Sequence, residues 1–225
     1  MRNKLKLFLS IALIAALSLF AFSACKKTEP EPKITYEQDG IIYTYEKEQG
    51  GFFVTGFSDG ASADNLIFVE SISTESVSAE VIGIAPNAFA MTDVKYVRIH
   101  SGIKSIGDYA FKHCANLQDV SFADNSLLND IGDYAFAYCK KLAQFDLGQN
   151  TKLTKLGGSA FRGNTALEEI RLPASLTIVG EYCFSDSYNV VIYIAKSASE
   201  VQSLISSGSW SGVWNKDGAQ NVYYA

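Results

Sequence analysis

Histidine is nearly missing from this chain: His100 and His113 are the only two in 225 residues. No HExxH and no paired CxxC occurs, so the spacings that hold a metal are lacking. Gly56-Phe57-Ser58-Asp59-Gly60 spells GxSxG, but no helical pattern follows it, so the strand–turn–helix setting of a nucleophile elbow is missing. Gly157-Gly158 is followed by no Lys-Ser/Thr pair, which excludes a phosphate cradle of the usual kind. These gaps predict a protein that is not an enzyme and uses no cofactor or metal. Positive charge is also short, with 19 Lys and Arg against 24 Asp and Glu, a net of −5. Nucleic acid needs a basic face, so it is an unsuitable partner.

Leu7–Phe22 contains no charge at all, and is preceded by Arg2, Lys4 and Lys6 and closed by Phe22-Ser23-Ala24-Cys25. A basic start, an apolar middle and small residues at the end make a targeting segment. Its close resembles a bacterial lipobox, with Phe22 where that pattern prefers leucine. The resemblance implies cleavage after Ala24, lipidation of Cys25, and an extracytoplasmic protein anchored at the bacterial cell surface. An ordinary signal peptide with a chance cysteine, or a membrane-spanning helix, are the alternatives. Without residues 1–24 the chain holds 16 bases against 24 acids, a net of −8. Residues 25–33, with Lys26–Lys33 reading KKTEPEPK, form a tether with nothing to bury.

Hydrophobic residues make up 48% of the chain, enough for a sizeable core. Ile106-Gly107-Asp108-Tyr109-Ala110-Phe111 returns as Ile131-Gly132-Asp133-Tyr134-Ala135-Phe136, with looser copies around Phe89, Phe161 and Phe184. These phenylalanines are spaced 22, 25, 25 and 23 residues apart. A period in the low twenties belongs to a leucine-rich solenoid. Each unit pairs a short strand, such as Leu117-x-x-Val120-x-Phe122, with a segment after Ile-Gly. Asp108 and Asp133 stand where an N-cap would start a short helical turn, from which Ala110, Phe111 and Cys114 point inward. Asn125 and Asn150 close their strands and predict an asparagine ladder of two rungs. The expected architecture is an α/β repeat, with strands on a concave face and helical turns on a convex one.

The pattern I-G-x-x-A-F-x-x-C-x-x-L-x-x-I-x-L resembles the BspA-like leucine-rich repeats of bacterial surface proteins. Ile106–Phe122 and Ile131–Leu147 carry it nearly in full, and Leu156–Leu172 has Asn164 in place of the cysteine. The resemblance implies a right-handed solenoid and an extracytoplasmic binding or adhesion role.

Around the repeats (residues 64–195) lie a β-rich segment (34–63) and a non-repeating end (196–225). Ile41–Tyr45 and Phe52–Thr55 predict a hairpin or small meander that seals one end of the core. At the other end Ser197–Ser207 predicts an amphipathic helix, with Ser199 as a possible cap. Trp210 and Trp214 then close the core, or alternatively form a platform on which sugars stack. Cys114 and Cys139 hold the same repeat position one rung apart; buried free thiols are expected, with a disulfide as the alternative.

Strand alternation turns Tyr96, Arg98, Asp119, Ser121, Gln144, Asp146, Glu169, Arg171 and Tyr193 outward on the rung strands. They form the candidate binding face, with Tyr96, Arg98, Arg171 and Tyr193 as the leading anchors. The expected partner is a protein or a glycan on a host or neighbouring cell, met by a monomer held to a membrane through its N-terminal lipid. A glycan-capturing accessory protein and a structural spacer without its own ligand are the other readings.

Overall fold

A computed structural model describes residues 33–225. The targeting segment, Cys25 and all but the last residue of the tether lie outside the described residues.

The period becomes two ladders of strands. β1 (Thr35–Gln38), β2 (Ile41–Glu46) and β3 (Gly51–Phe57) form an antiparallel meander. β4 (Asn65–Ile67) is the first rung strand, and β5 (Ser71–Ser73) pairs antiparallel with β6 (Ser78–Ile84). Each later rung supplies a longer and a shorter strand: β7 (Tyr96–Ile99) with β8 (Ser105–Ile106), β9 (Asp119–Phe122) with β10 (Asp130–Ile131), β11 (Gln144–Asp146) with β12 (Lys155–Leu156), and β13 (Glu169–Leu172) with β14 (Ile178–Val179). β15 (Val191–Ile194), α1 (Ala198–Ser206) and β16 (Asn221–Tyr224) complete the chain.

The longer strands make one sheet in the order β16-β15-β13-β11-β9-β7-β4, parallel throughout. The two-residue strands make a second, β6-β8-β10-β12-β14, which runs through β3 into the meander. Thus the N-terminal segment is continuous with the solenoid's sheet, and its Tyr43, Phe52 and Val54 belong to the common core.

The expected helical turns on the third side are turns of another kind. Tyr109, Tyr134 and Tyr182 have φ near 55°, as do Asn87 and Ser159; His113 and Tyr138 repeat the left-handed conformation four residues after Tyr109 and Tyr134. A residue at positive φ every few positions cannot propagate an α-helix. Backbone donors turn instead to the next rung: Tyr109 N–H donates to Asp133 O, Phe111 to Ala135 O and His113 to Ala137 O, at 2.8–2.9 Å. Asp108 and Asp133 follow the same direction. Asp108 Oδ1 accepts from the Asp133 amide and Asp133 Oδ1 from the Gly158 amide, at 2.8 and 2.7 Å. They join rungs; they cap no helix. The single helix among the described residues is α1, capped by Ser197 in a reciprocal box with Glu200, so Ser199 is not its cap.

The phenylalanines form the expected column. Phe89, Phe111, Phe136, Phe161 and Phe184 stack with centroids 5.1–5.7 Å apart, and all are fully buried. Trp214 meets Phe184 edge-on and Trp210 packs on Trp214. With 0% and 7% exposure these tryptophans are closed to a sugar, which removes the platform reading.

Cys114, Cys139 and Cys183 are buried free thiols, not a bridge. Cys114 Sγ donates to Phe89 O and Cys139 Sγ to Phe111 O, each serving the carbonyl of the rung before. Asn164, in the cysteine position, instead accepts from the Cys139 amide through Oδ1. The asparagine ladder does not form. Asn125 is exposed at φ 57°, and the side-chain amide of buried Asn150 meets no partner among the described residues. One rung further on, Ser175 after β13 joins its corner to the one after β11, its Oγ donating to Leu153 O.

Candidate functional site

Parallel pairing with one-residue alternation sets two outward rows on the seven-stranded sheet. Tyr96, Asp119, Gln144 and Glu169 stand in one row, and Arg98, Ser121, Asp146, Arg171 and Tyr193 in the other. Val97, Val120, Phe145, Ile170 and Ile192 between them are buried. The structure therefore brings all nine residues to one face.

Their surroundings differ along the face. Arg98, Asp119, Ser121 and Gln144 have no side-chain hydrogen bond or ion pair with any described residue. Tyr96 Oη donates to Gln118 Oε1 at 2.9 Å, and Asp146 Oδ1 accepts from the Gly148 amide at 2.7 Å. Arg171 is the most engaged. Its Nη2 lies 2.6 Å from Glu169 Oε1, and its guanidinium stands 4.8 Å from the Tyr193 ring. Tyr193 in turn stacks on Tyr223 at 5.4 Å, so a planar cation and two rings form one pile at the β16 end. The ion pair is exposed at both partners and contributes at most about 1 kcal/mol to stability. Such a pile orients Arg171 more than it holds the fold together.

Three depressions follow this face. One of about 340 Å³ is lined by Gln144, Phe145, Asp146, Glu168, Glu169 and Arg171. A second, about 630 Å³, runs from Tyr96 past Asp119 to Lys140, Lys141 and Gln144. A third, of about 270 Å³, lies along β9 and β11 and adds Asp124, Gln149 and Asn150 from the corners after them. Arg98 and Tyr193 line none of these three. Periodicity alone misses Tyr223, because a helix and an irregular segment separate β16 from the rung it joins. It also misses Asp124 and Gln149, which lie past the alternating strands; their only signal is the extra length of those two rungs.

Titratable groups elsewhere are structural. Burial pushes the Cys183 thiol up to about 12 and raises Cys114 and Cys139 as well. Among the described residues, no group of three or more His, Cys, Asp or Glu side chains is placed to hold a metal ion. No described helix is long and apolar enough to cross a membrane.

Residues 69–209 match the model of the BspA type leucine rich repeat region, in six copies. The chain belongs to that family. A leucine-rich repeat protein from Bacteroides ovatus shares its fold at a TM-score of 0.62 and 23% identity, over 72% of this chain and 43% of the other. The pneumococcal vaccine antigen PcpA gives 0.54 and 20%, over 72% and 50%, and the Treponema pallidum leucine rich repeat protein gives 0.52 and 17%, over 82% and 83%. The BspA-type chain thus spans less than half of the B. ovatus protein. Comparison with curated proteins gave no match. Identities this low carry the fold, while function has to be argued from the site.

Proposed function

We propose that this BspA-type protein is a lipid-anchored binding module of the bacterial cell surface that recognises a protein through the solvent-facing side of its seven-stranded sheet. The observation that carries this reading is a set of polar side chains with no folding task, spread over both outward rows. Arg98, Asp119, Ser121 and Gln144 hold nothing in place within the described residues, yet stand in register on one face. A solvated strand face needs only to be polar. This one also offers arginine and tyrosine, residues that anchor interfaces. Few rungs make a small face, so dense display would strengthen a weak contact.

The test is capture by the full chain, immobilised at high density, from extracellular matrix proteins and cell-surface extracts. A band competed by soluble protein and lost in the Arg98→Ala/Arg171→Ala variant is the expected result. Capture unchanged by that variant would remove the face from consideration. The anchor is tested separately by palmitate labelling, which Cys25→Ala should abolish.

Glycan capture has one observation in its favour: the Tyr193–Tyr223 stack, where Tyr223 is 54% exposed. Retention on a glycan array, sensitive to Tyr223→Ala, would favour it over a protein partner.

A further inference from the structure

The turns on the third side of the rungs carry two columns of rings of their own. Tyr109 stacks on Tyr134 at 5.3 Å and 7° from parallel, and His113 on Tyr138 at 4.8 Å and 8°. Toward the C-terminus the second column is closed by backbone, since a Cβ on Gly163 would come within 2.4 Å of the Tyr138 ring. Toward the N-terminus both columns stop. The Asn87 amide donates to Asp108 O just as the Tyr109 amide donates to Asp133 O. Met91 donates to Lys112 O as His113 does to Ala137 O, so Asn87 and Met91 hold the places of the next two rings. The core column continues past them, with Phe89 on Phe111 at 5.4 Å. The result is a step two rings wide. A depression of about 470 Å³ occupies it, lined by Asn87, Ala90, Met91, Tyr109, Lys112 and His113.

The polar groups of this lining are free. Among the described residues the Asn87 and His113 side chains, the Tyr109 hydroxyl and the Lys112 ammonium make no hydrogen bond or ion pair. Lys112 Nζ lies 5.0 and 5.1 Å from the Tyr109 and Tyr134 ring centres, so the two rings alone position it. No carboxylate lines the step, and Met91 on its edge is 78% exposed.

We propose that the step takes a carboxylated pyranose, a hexuronate, in the place of the ring that the columns lack. A pyranose has an apolar face of C–H bonds that lies flat on an aromatic ring, and hydroxyls around its rim. Tyr109 offers the flat surface and Lys112 the charge for the carboxylate, while Asn87 and His113 meet the rim. Met91, unbranched and pliable, shapes itself to the sugar's edge. A phenyl ring would use neither the amide nor the ammonium, and a neutral sugar would leave the ammonium idle. The volume lies within the range of small-ligand sites. The step is on the turn side, so this inference does not rest on the reading of the sheet face.

The test uses Met91 as its own reporter. Met1 and Met91 are the only methionines, so carbon-13 labelling of methionine methyls in the full chain gives one signal from the step and at most one other. Methyl glucuronide should move the Met91 signal saturably. Methyl glucoside, its neutral counterpart, should bind more weakly by about tenfold or more, as should the glucuronide to Lys112→Gln. Tyr109→Asn repeats the residue that already takes this left-handed turn at position 87, and should abolish saturation. Equal binding of the glucoside, tighter binding of phosphotyrosine, unchanged affinity in Lys112→Gln, or no movement with any probe would each overturn the proposal. Tighter binding of a hyaluronan tetrasaccharide than of the methyl glycoside would put the sugar within a polysaccharide, and weaker binding would make it a free or terminal one; both support the site.

Discussion

Phe111 and Phe136 lie face to face, 5.1 Å between centroids and 5° from parallel, one rung apart in the centre of the column. Each ring is sandwiched by its neighbours in the two adjacent rungs, so removing one opens a cavity that two rungs must share. Phe111→Ala or Phe136→Ala should cost about 3–5 kcal/mol in denaturant unfolding. A loss under about 1 kcal/mol would mean the column bears little of the stability.

Gly132 sits where a Cβ would come within 2.4 Å of Asp108 Oδ1 and 2.6 Å of the Asp108 nitrogen. Backbone cannot yield as a flexible side chain can, so Gly132→Ala should destabilise by about 1–3 kcal/mol. Gly212, with nothing within 4 Å of its would-be Cβ, is the control. Its alanine variant should melt within a degree or two of the parent, and equal losses at both sites would defeat the close-approach argument.

The buried thiols should be silent in the native state. Desolvation raises all three, Cys183 to about 12, so thiolate is scarce and inaccessible at pH 8. In Cys25→Ser protein a disulfide-exchange reagent should react with none of them before unfolding and with three in denaturant. Fast reaction of any one in buffer would show that its rung opens readily.

His100 gives a pH dependence of known sign. Burial lowers its pKa, against a partial opposing pull from Glu70 and Glu80. Between the ordinary value near 6.5 and the lower native value, the unfolded chain takes up a proton that the folded chain refuses. This contribution is therefore complete above about pH 6.5 and is lost as pH falls through the native value. Nδ1 accepts from the Gly102 amide, a role that Asn can take. His100→Asn should flatten the acidic limb of stability against pH between 7 and 5, read by chemical denaturation. An unchanged limb would assign it to other groups.

The spine was legible because phenylalanine spacing is a property of the chain itself, as was the inward and outward alternation from Tyr96 to Arg171. What was not legible depends on the neighbouring rung. Asp108 has the chemistry of an N-cap, and only the presence of the Asp133 amide beside it turns that oxygen elsewhere. Tyr109 and Tyr134 take a left-handed conformation that composition would assign to glycine or asparagine; inter-rung hydrogen bonds and the stacking of their rings, 5.3 Å apart, favour it. Ser105-Ile106 is too short to read as a strand without its partners. The candidate face was visible residue by residue, but the corner residues Asp124 and Gln149 were not, since they lie past the alternating strands.

The Ile-Gly corners leave no space, and the turns that follow are bonded rung to rung. The two 25-residue steps contain the long corners after β9 and β11, which hold Asp124, Gln149 and Asn150. Rungs of this kind divide labour by address: one edge is a hinge line where any change in length breaks the stack, and the opposite edge is a margin where residues can be inserted and rewritten. Diversity among such proteins should accumulate along that margin, which would let a lineage retarget its surface while the spine beneath stays the same.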